Sequence, residues 1–286
     1  MKPPAFHYVR PQSVAEALSV LATEPDAKIL AGGQSLIPMM NMRLARPGTL
    51  VDINGLKELS RIEMAPDGLT VGALVRHYQL EASSLIRDYN PIVSQAETLI
   101  GHEAIRSRGT IGGSLSHADP AAELPVVATL LDWDLVVQSA SATRIIPARE
   151  FFLSYFITAL APDEIVTAVR MSKGPAAGYI TEYAIRAGDF ALAIAAASVD
   201  LDSSGKIAHL RLALGGVGDV PWRDETFEQA WVGKVAGAAL WQEIGQTASQ
   251  AIEPSDDLHA TADYRRELAL NLAVEALAQA AMKRRA

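Results

Sequence analysis

Apolar and polar positions at the start of the chain predict a helix, a strand and a second helix. Apolar residues recur every three or four positions over 14–21, which is the spacing of a helix with one buried face. Ser13 and Glu16 stand at the capping-box positions that begin such a helix. The run 28–31 predicts a short buried strand, and 37–42 predicts a helical turn. Two glycines lie between them, and strand, glycine turn and helix in this order are typical of a phosphate site.

Later apolar runs predict a mixture of strands and helices. Strands are predicted at 50–53, 69–72, 135–137 and 165–169, with the polar stretch 57–68 between the first two. Helices are predicted from Pro91 and through 124–131. The runs 192–201 and 207–214 flank Asp-Ser-Ser-Gly, which is typical of a β-hairpin, and the Ala/Leu/Glu-rich last third predicts helix ending in Lys-Arg-Arg at 283–285.

The breaks between these apolar runs predict two domains. A subdomain break is expected near Gly55, and the segment 173–178, rich in glycine, alanine and proline, is the predicted linker. The first domain is therefore predicted at 1–175, with subdomains at about 1–55 and 56–175, and the second at 178–286.

The composition of the chain excludes several classes of function. The 286 residues carry a net charge of −8 without a long Lys/Arg run, which argues against nucleic-acid or anionic-membrane surfaces. The absence of cysteine excludes a disulfide framework, a thiolate nucleophile and a cysteine-ligated iron–sulfur cluster within this chain. No apolar run approaches the roughly 18 residues of a membrane span, and the amino terminus lacks the apolar core of a signal peptide. We therefore expect a cytoplasmic protein without a membrane span.

Two glycine pairs are the candidate chemistry of the chain. Gly32-Gly33 and Gly112-Gly113 lack a Cβ, so backbone N–H groups can approach a phosphate closely. The second pair is followed by hydrogen-bonding side chains, namely Ser114, Ser116, His117, Asp119 and Glu123. A site built from two such turns, hydroxyls and a carboxylate suits a dinucleotide better than a mononucleotide. The structural alternative is that each pair is only a turn.

Several other functions lack their sequence patterns. Neither glycine pair fits the Rossmann or P-loop spacing, and there is no nucleophile elbow and no paired-histidine metal motif. Arg106 and Arg108 flank the second glycine pair, but solvent exposure or an internal ion pair explains them equally well. From packing alone Phe190 is expected in the core, as are three methionines, Met39, Met40 and Met42. We predict no catalytic residue and no metal ligand in this chain.

The segments around the glycine pairs carry a family resemblance. Ala-Gly-Gly-Gln-Ser-Leu-Ile-Pro at 31–38 and Thr-Ile-Gly-Gly-Ser-Leu-Ser-His-Ala-Asp-Pro-Ala-Ala-Glu at 110–123 resemble the two FAD motifs of the flavoprotein subunit of the carbon monoxide dehydrogenase, xanthine dehydrogenase and azaheterocycle hydroxylase family. The segments 186–191, 215–218 and 262–268 are similar to its C-terminal domain. The resemblance implies an α+β fold: a vanillyl-alcohol-oxidase (PCMH) type FAD-binding domain in two subdomains, then a smaller C-terminal α+β domain.

The resemblance also implies a set of FAD-binding residues. They are Ile29, Leu30, Ala31, Gly32, Gly33, Gln34, Ser35, Leu36, Ile100, Thr110, Ile111, Gly112, Gly113, Ser114, His117, Asp119, Glu123, Ile165, Val166 and Phe190. The segments 29–36 and 110–114 would surround the pyrophosphate, and Glu123 would contact the ribityl chain, with Asp119 and Ser114 as second candidates. Ile165 and Val166 would pack at a ring, and Phe190 would lie beside the isoalloxazine. Ser114 departs from the family, where asparagine is common.

The function that the resemblance implies is electron transfer. Substrate would be hydroxylated at a molybdenum–pterin centre on a large subunit, and electrons would pass through two two-iron two-sulfur clusters on a small subunit to the FAD of this chain. A dimer of such heterotrimers is expected. A stand-alone flavin reductase or oxidase of the same fold and a nucleotide-binding scaffold are the alternatives. The substrate stays open among carbon monoxide, nicotine-like pyridines, quinolines, purines and aldehydes, because its pocket would lie on another chain.

Overall fold

The structure, a computed structural model, describes residues 1–66, 68–174 and 178–283. Its strands are β1 (His7–Val9), β2 (Ala27–Leu30), β3 (Thr49–Asp52), β4 (Ile62–Ala65), β5 (Gly68–Gly72), β6 (Asp134–Gln138), β7 (Thr143–Pro147), β8 (Phe152–Ser154), β9 (Ile157–Thr158), β10 (Ile165–Met171), β11 (Gly178–Ala184), β12 (Ala191–Leu201) and β13 (Ile207–Gly215). Its helices are α1 (Val14–Thr23), α2 (Leu36–Asn41), α3 (His77–Ala82), α4 (Ser84–Tyr89), α5 (Pro91–Leu99), α6 (Glu103–Arg106), α7 (Ile111–His117), α8 (Glu123–Leu130), α9 (Ala148–Phe151), α10 (Glu225–Gln229), α11 (Ala238–Ala251) and α12 (Ala262–Lys283).

The amino-terminal layer is a parallel sheet in the order β1-β3-β2. Helix α1 begins at Ser13, whose hydroxyl accepts a hydrogen bond from the Glu16 N–H, while Glu16 accepts from the Gln12 N–H. Its apolar face, with Leu18 and Leu21, shares a hydrophobic cluster with Val51 of β3. Because the strands are parallel, their carboxyl ends meet at one edge, where ligands of parallel sheets bind.

A second, antiparallel sheet has the order β4-β5-β10-β6-β7. Helices α5, α7 and α8 contribute to its core, in which Trp133, Leu124 and Leu115 are fully buried. Strand β10 ties this sheet to the amino-terminal layer, because Ile165 belongs to the cluster of α1 whereas Val166 belongs to the core of the second sheet. The two layers are therefore packed directly on each other.

The carboxyl-terminal part is an antiparallel sheet, β11-β12-β13, covered by α11 and α12. Alternate residues of β12 point into two different cores. Ala193, Ala195 and Ala197 lie in the cluster with α11 and α12, whereas Ile194 and Ala196 lie in the core of the second sheet. This strand is buried on both faces, which joins the two parts of the molecule.

The predicted α+β class is confirmed, and so are the strands, helices and hairpin that the apolar pattern predicted. Two local interpretations are corrected. The polar stretch 57–68 contains a 3₁₀ turn at Lys57–Ser60 and strand β4, and Gly112-Gly113 lies in the first turn of α7 rather than in a loop. Linker positions 175–177 and the end of the basic tail, 284–286, lie outside the described residues, and the domain boundaries stay a prediction. In the ranges described, no helix is long and apolar enough to cross a membrane.

Candidate functional site

The first glycine segment leaves a series of backbone donors without a protein partner. It joins β2 to α2, and Gly33 has a φ of 72°, a conformation that L side chains rarely adopt. Within the described ranges, the N–H groups of positions 32 to 36 donate to no protein acceptor. The Gln34 amide donates back to the Gly32 carbonyl at 3.0 Å and stiffens the loop. Successive free N–H groups form a concavity that binds anions, so this segment fits a phosphate.

The second glycine segment uses its donors internally. The Gly112 N–H donates to Ala73 O at 2.9 Å, the Ile111 N–H to Val75 O at 3.0 Å, and the Gly113 N–H to the Thr110 hydroxyl at 3.1 Å. A Cβ built on Gly112 would lie 2.5 Å from the Ala73 Cβ. Gly112 is therefore required for close packing against the strand-end residue Ala73, and this segment can offer a ligand hydroxyl groups more readily than amides.

The two segments contact each other through their backbones. A Cβ on Gly32 would lie 2.4 Å from Arg108 O and 2.8 Å from the Gly109 Cα. The Arg76 guanidinium donates to the Arg108 carbonyl and, at 2.6 Å, to Asn54 Oδ1. The Asn54 amide donates in turn to Ala31 O at 2.8 Å. One chain of hydrogen bonds thus fixes the first segment against the approach to the second.

A cleft of about 480 Å³ lies at this junction. It is lined by Ala31, Gly32, Asp52, Asn54, Arg76, Ser107 and Arg108. Burial acts to raise the pKa of Asp52, but hydrogen bonds from Tyr8 and Asn54 outweigh it and hold that pKa below its ordinary value. A second cleft of similar size, about 470 Å³, lies around His7 and Thr49 at the start of β1 and β3, and none of the predicted site residues lines it.

Beyond the second glycine segment, burial shifts the pKa values of two carboxyl groups into the neutral range. Burial raises the pKa of Glu123, at the start of α8, to about 8, and the nearby Glu182 adds to the shift. Burial raises the pKa of Glu182 to about 7. Burial also lowers the pKa of His117, against the effect of Asp119. A protonated carboxyl group can donate a hydrogen bond, so Glu123 can pair with a hydroxyl or a carbonyl oxygen.

The remaining predicted residues are spread over several elements. Ile29 and Leu30 end β2, Leu36 begins α2, Ser114 lies in α7, and Ile100 is buried after α5. Ile165 and Val166 are buried in β10. Phe190 ends the β11–β12 loop and is 71% exposed, so the expectation that it lies in the core is wrong. Among the methionines, Met40 is in the core as expected, but Met42 is 54% exposed.

The sequence interpretation missed several polar residues of the junction. Asp52 ends β3 and Asn54 lies two residues later, and polar residues at a strand's carboxyl end were an available signal. Arg76 gave none. His77 and Glu97 form a buried pair at 2.9 Å, and the His77 ring packs so closely on Gly109 that a Cβ there would lie 2.5 Å from its Cδ2. This pair supports the second glycine segment from inside.

Comparison with known proteins gives one consistent result. Residues 4–172 match the family described as the FAD binding domain in molybdopterin dehydrogenase, and residues 179–280 match the CO dehydrogenase flavoprotein C-terminal domain. The 6-hydroxypseudooxynicotine dehydrogenase complex subunit alpha of Paenarthrobacter nicotinovorans is 39% identical over 98% of this chain and 96% of its own.

Solved structures are similar over the whole chain. Quinoline 2-oxidoreductase from Pseudomonas putida 86 superposes with a TM-score of 0.95 at 34% identity, covering 99% of each chain. Carbon monoxide dehydrogenase from Hydrogenophaga pseudoflava, in a form that lacks the Mo-pyranopterin moiety of its molybdenum cofactor, also gives 0.95, at 33% identity and 99% of each chain.

Proposed function

The chain belongs to the family of FAD-binding subunits of the molybdopterin dehydrogenases, and from this membership we propose where FAD and the partner subunits bind. It is the FAD-binding electron-transfer subunit of a molybdenum-containing oxidoreductase, in which substrate oxidation takes place on another subunit. When bound, the isoalloxazine ring supplies the redox chemistry, and the protein binds and orients it.

The free N–H groups of positions 32 to 36 carry the proposal for the diphosphate. The residues present fit the cofactor. Gly33 adopts a φ of 72°, which suits glycine, and five successive N–H groups have no acceptor among the described residues and can bind an anion. The hydroxyls of Thr110 and Ser114 complete this end. Glu123, protonated at neutral pH, donates to the ribityl chain. Ile165, Val166 and Phe190 take the ring contacts that the resemblance implies.

The partner subunits follow from what this chain does not contain. With no cysteine, it provides no thiolate for an iron–sulfur cluster. We assign the clusters to a small subunit and the molybdopterin to a large one, in a cytoplasmic dimer of heterotrimers. The name of the Paenarthrobacter relative, a complex subunit, supports an assembly of several chains. The FAD domain is proposed at 1–175 and the second domain at 178–286, which agrees with the residue ranges of the two family matches.

Expression of the chain alone tests this proposal. The purified chain is expected to bind one FAD, and denaturation is expected to release it intact, because no cysteine is available for a thioether link. With an artificial acceptor the lone chain is expected not to oxidise heterocycles or aldehydes, and activity is expected to return with the large and small subunits. Turnover by the lone chain at the rate of the complex would instead identify a stand-alone flavoenzyme.

A further inference from the structure

Two arginines line the cleft at the junction of the glycine segments. Arg76 and Arg108 lie close enough that Arg108 lowers the pKa of Arg76, in addition to the larger effect of burial. Within the described ranges, the Arg108 guanidinium has neither an ion pair nor a hydrogen-bond acceptor. Two guanidinium groups are thus held together at the same cleft although like charges repel.

Asp52, the carboxylate that lines this cleft, acts on Arg76 to raise its pKa but offsets only part of the charge of the two guanidinium groups. Asp52 accepts hydrogen bonds from the Tyr8 hydroxyl and, at 2.6 Å, from the Asn54 amide. Arg10, which lies 3.6 Å from a Cβ built on Gly55, also acts on Asp52 and lowers its pKa. The cleft is therefore cationic in a chain whose net charge is −8.

The position of the two arginines relative to the free amides indicates the ligand. The cleft reaches Ala31 and Gly32, where the series of free N–H groups begins. Arg76 is held by the Arg108 carbonyl and by Asn54, so its guanidinium is oriented before a ligand binds. A guanidinium binds phosphate through two parallel hydrogen bonds, and successive amides bind phosphate oxygens. An anion with several oxygens and more than one charge fits both sets of donors.

We propose that Arg76 and Arg108 form the cationic side of the diphosphate site and bind the FAD diphosphate together with the amides of positions 32 to 36. This inference rests on the proposed function. Arg108 provides free donors to the diphosphate, and Arg76 adds charge and holds the Arg108 backbone in place. Long-range attraction in this cleft also makes FAD binding sensitive to salt.

The test compares a ligand that has the diphosphate with one that lacks it. FAD and riboflavin are titrated into the full-length flavin-free chain, and dissociation constants are measured by flavin fluorescence at several salt concentrations. Arg108→Gln is expected to weaken FAD binding about tenfold, because one charge-assisted contact is lost, and to leave the riboflavin dissociation constant unchanged. The FAD dissociation constant of Arg108→Lys is expected to lie between those of the wild type and Arg108→Gln, because lysine keeps the charge but lacks the paired donors. Arg76→Gln is expected to weaken FAD binding as well.

Arg61→Gln is the matched control. Arg61 is exposed, forms an ion pair with the exposed Glu63 at 3.5 Å, and its replacement changes the net charge by the same amount. It is expected to leave both constants unchanged. An unchanged FAD constant in Arg108→Gln, or an equal weakening of FAD and riboflavin, would overturn the inference. A wild-type chain that binds no FAD would instead contradict the proposed function.

Discussion

Replacing Gly32 by alanine tests whether the contact between the two glycine segments builds the cofactor site. The new Cβ would lie 2.4 Å from the Arg108 carbonyl oxygen and 2.8 Å from the Gly109 Cα. Both are backbone atoms, so no side-chain rotation relieves the overlap. The segments must move apart, and the hydrogen bond from Arg76 to the Arg108 carbonyl is strained with them.

The size of the effect follows from this overlap. Non-bonded heavy atoms pack at about 3.5 Å, so one segment must shift by roughly 1 Å. Overpacking of this kind costs about 1–3 kcal/mol. In a chain of this size each kcal/mol lowers the midpoint of thermal unfolding by about 2–4 °C, which gives a fall of about 2–12 °C. FAD in hundredfold excess over its dissociation constant stabilises a protein by about 2.7 kcal/mol, and we expect most of this stabilisation to disappear.

The assay is thermal unfolding of Gly32→Ala with and without FAD, together with the flavin content of the purified chain. Gly48→Ala is the control, because a Cβ on Gly48 meets only the Asp26 Cβ, at an ordinary 3.5 Å. We expect the control to keep its flavin and its FAD-dependent rise in melting temperature. If Gly32→Ala also purified with one FAD per chain and melted together with Gly48→Ala, the contact between the segments would not form the site.

Other substitutions test separate parts of the molecule. Gly33→Val places a β-branched side chain at a φ of 72°, so the folded variant is expected to purify without flavin; full occupancy would show that the loop is only a turn. Asp132→Ala removes a carboxylate that pairs with the almost fully buried Arg223 at 2.7 Å, and urea unfolding is expected to show a loss of about 2–4 kcal/mol, against less than about 1 kcal/mol for Arg61→Ala. The Glu123 carboxyl is protonated in the folded chain up to about pH 8 but ionised in the unfolded chain above about 4.5, so the wild type loses stability through this window. From pH 5 to pH 8 the free energy of unfolding of flavin-free Glu123→Gln is expected to rise relative to that of the wild type, by at most about 1.4 kcal/mol per pH unit. Parallel profiles of unfolding free energy against pH would contradict the raised pKa.

Periodic apolar residues made most of the fold predictable. Helix α1 carries its buried residues at helical spacing, and Ser13 marks its start. The apolar runs of β12 and β13 and the glycine-containing turn between them identified a hairpin. Strand β4 was missed because two of its four residues are exposed and the other two are only partly buried, so the segment lacks the apolar pattern of a buried strand. The same limit applies to Met42, because an exposed apolar residue has no sequence signature that separates it from a buried one.

The cationic cleft could not be derived from local patterns. Arg76 donates to a carbonyl 32 positions away, and Asn54 reaches the Ala31 carbonyl across 23 positions. Such contacts depend on how the parallel sheet packs against the antiparallel one, which no periodicity encodes. The sequence alone does not assign Arg108 to a site, because an arginine that flanks a turn is usually solvated or paired. The structure places its guanidinium beside that of Arg76, and among the described residues it has no side-chain partner.

The two glycine pairs look equivalent in the sequence, yet their surroundings give them different tasks. The first segment follows the parallel strand β2, Gly33 has a left-handed conformation, and the successive N–H groups of positions 32 to 36 have no acceptor among the described residues. The second begins α7, and the carbonyls of Ala73 and Val75 and the Thr110 hydroxyl accept its N–H groups. The N–H groups of the first segment are therefore available to an anion, while Gly112 allows the second segment to pack closely enough to support the first. Arg76 and Arg108 lie where the two segments meet, so their guanidinium groups add positive charge beside the amides of the first segment.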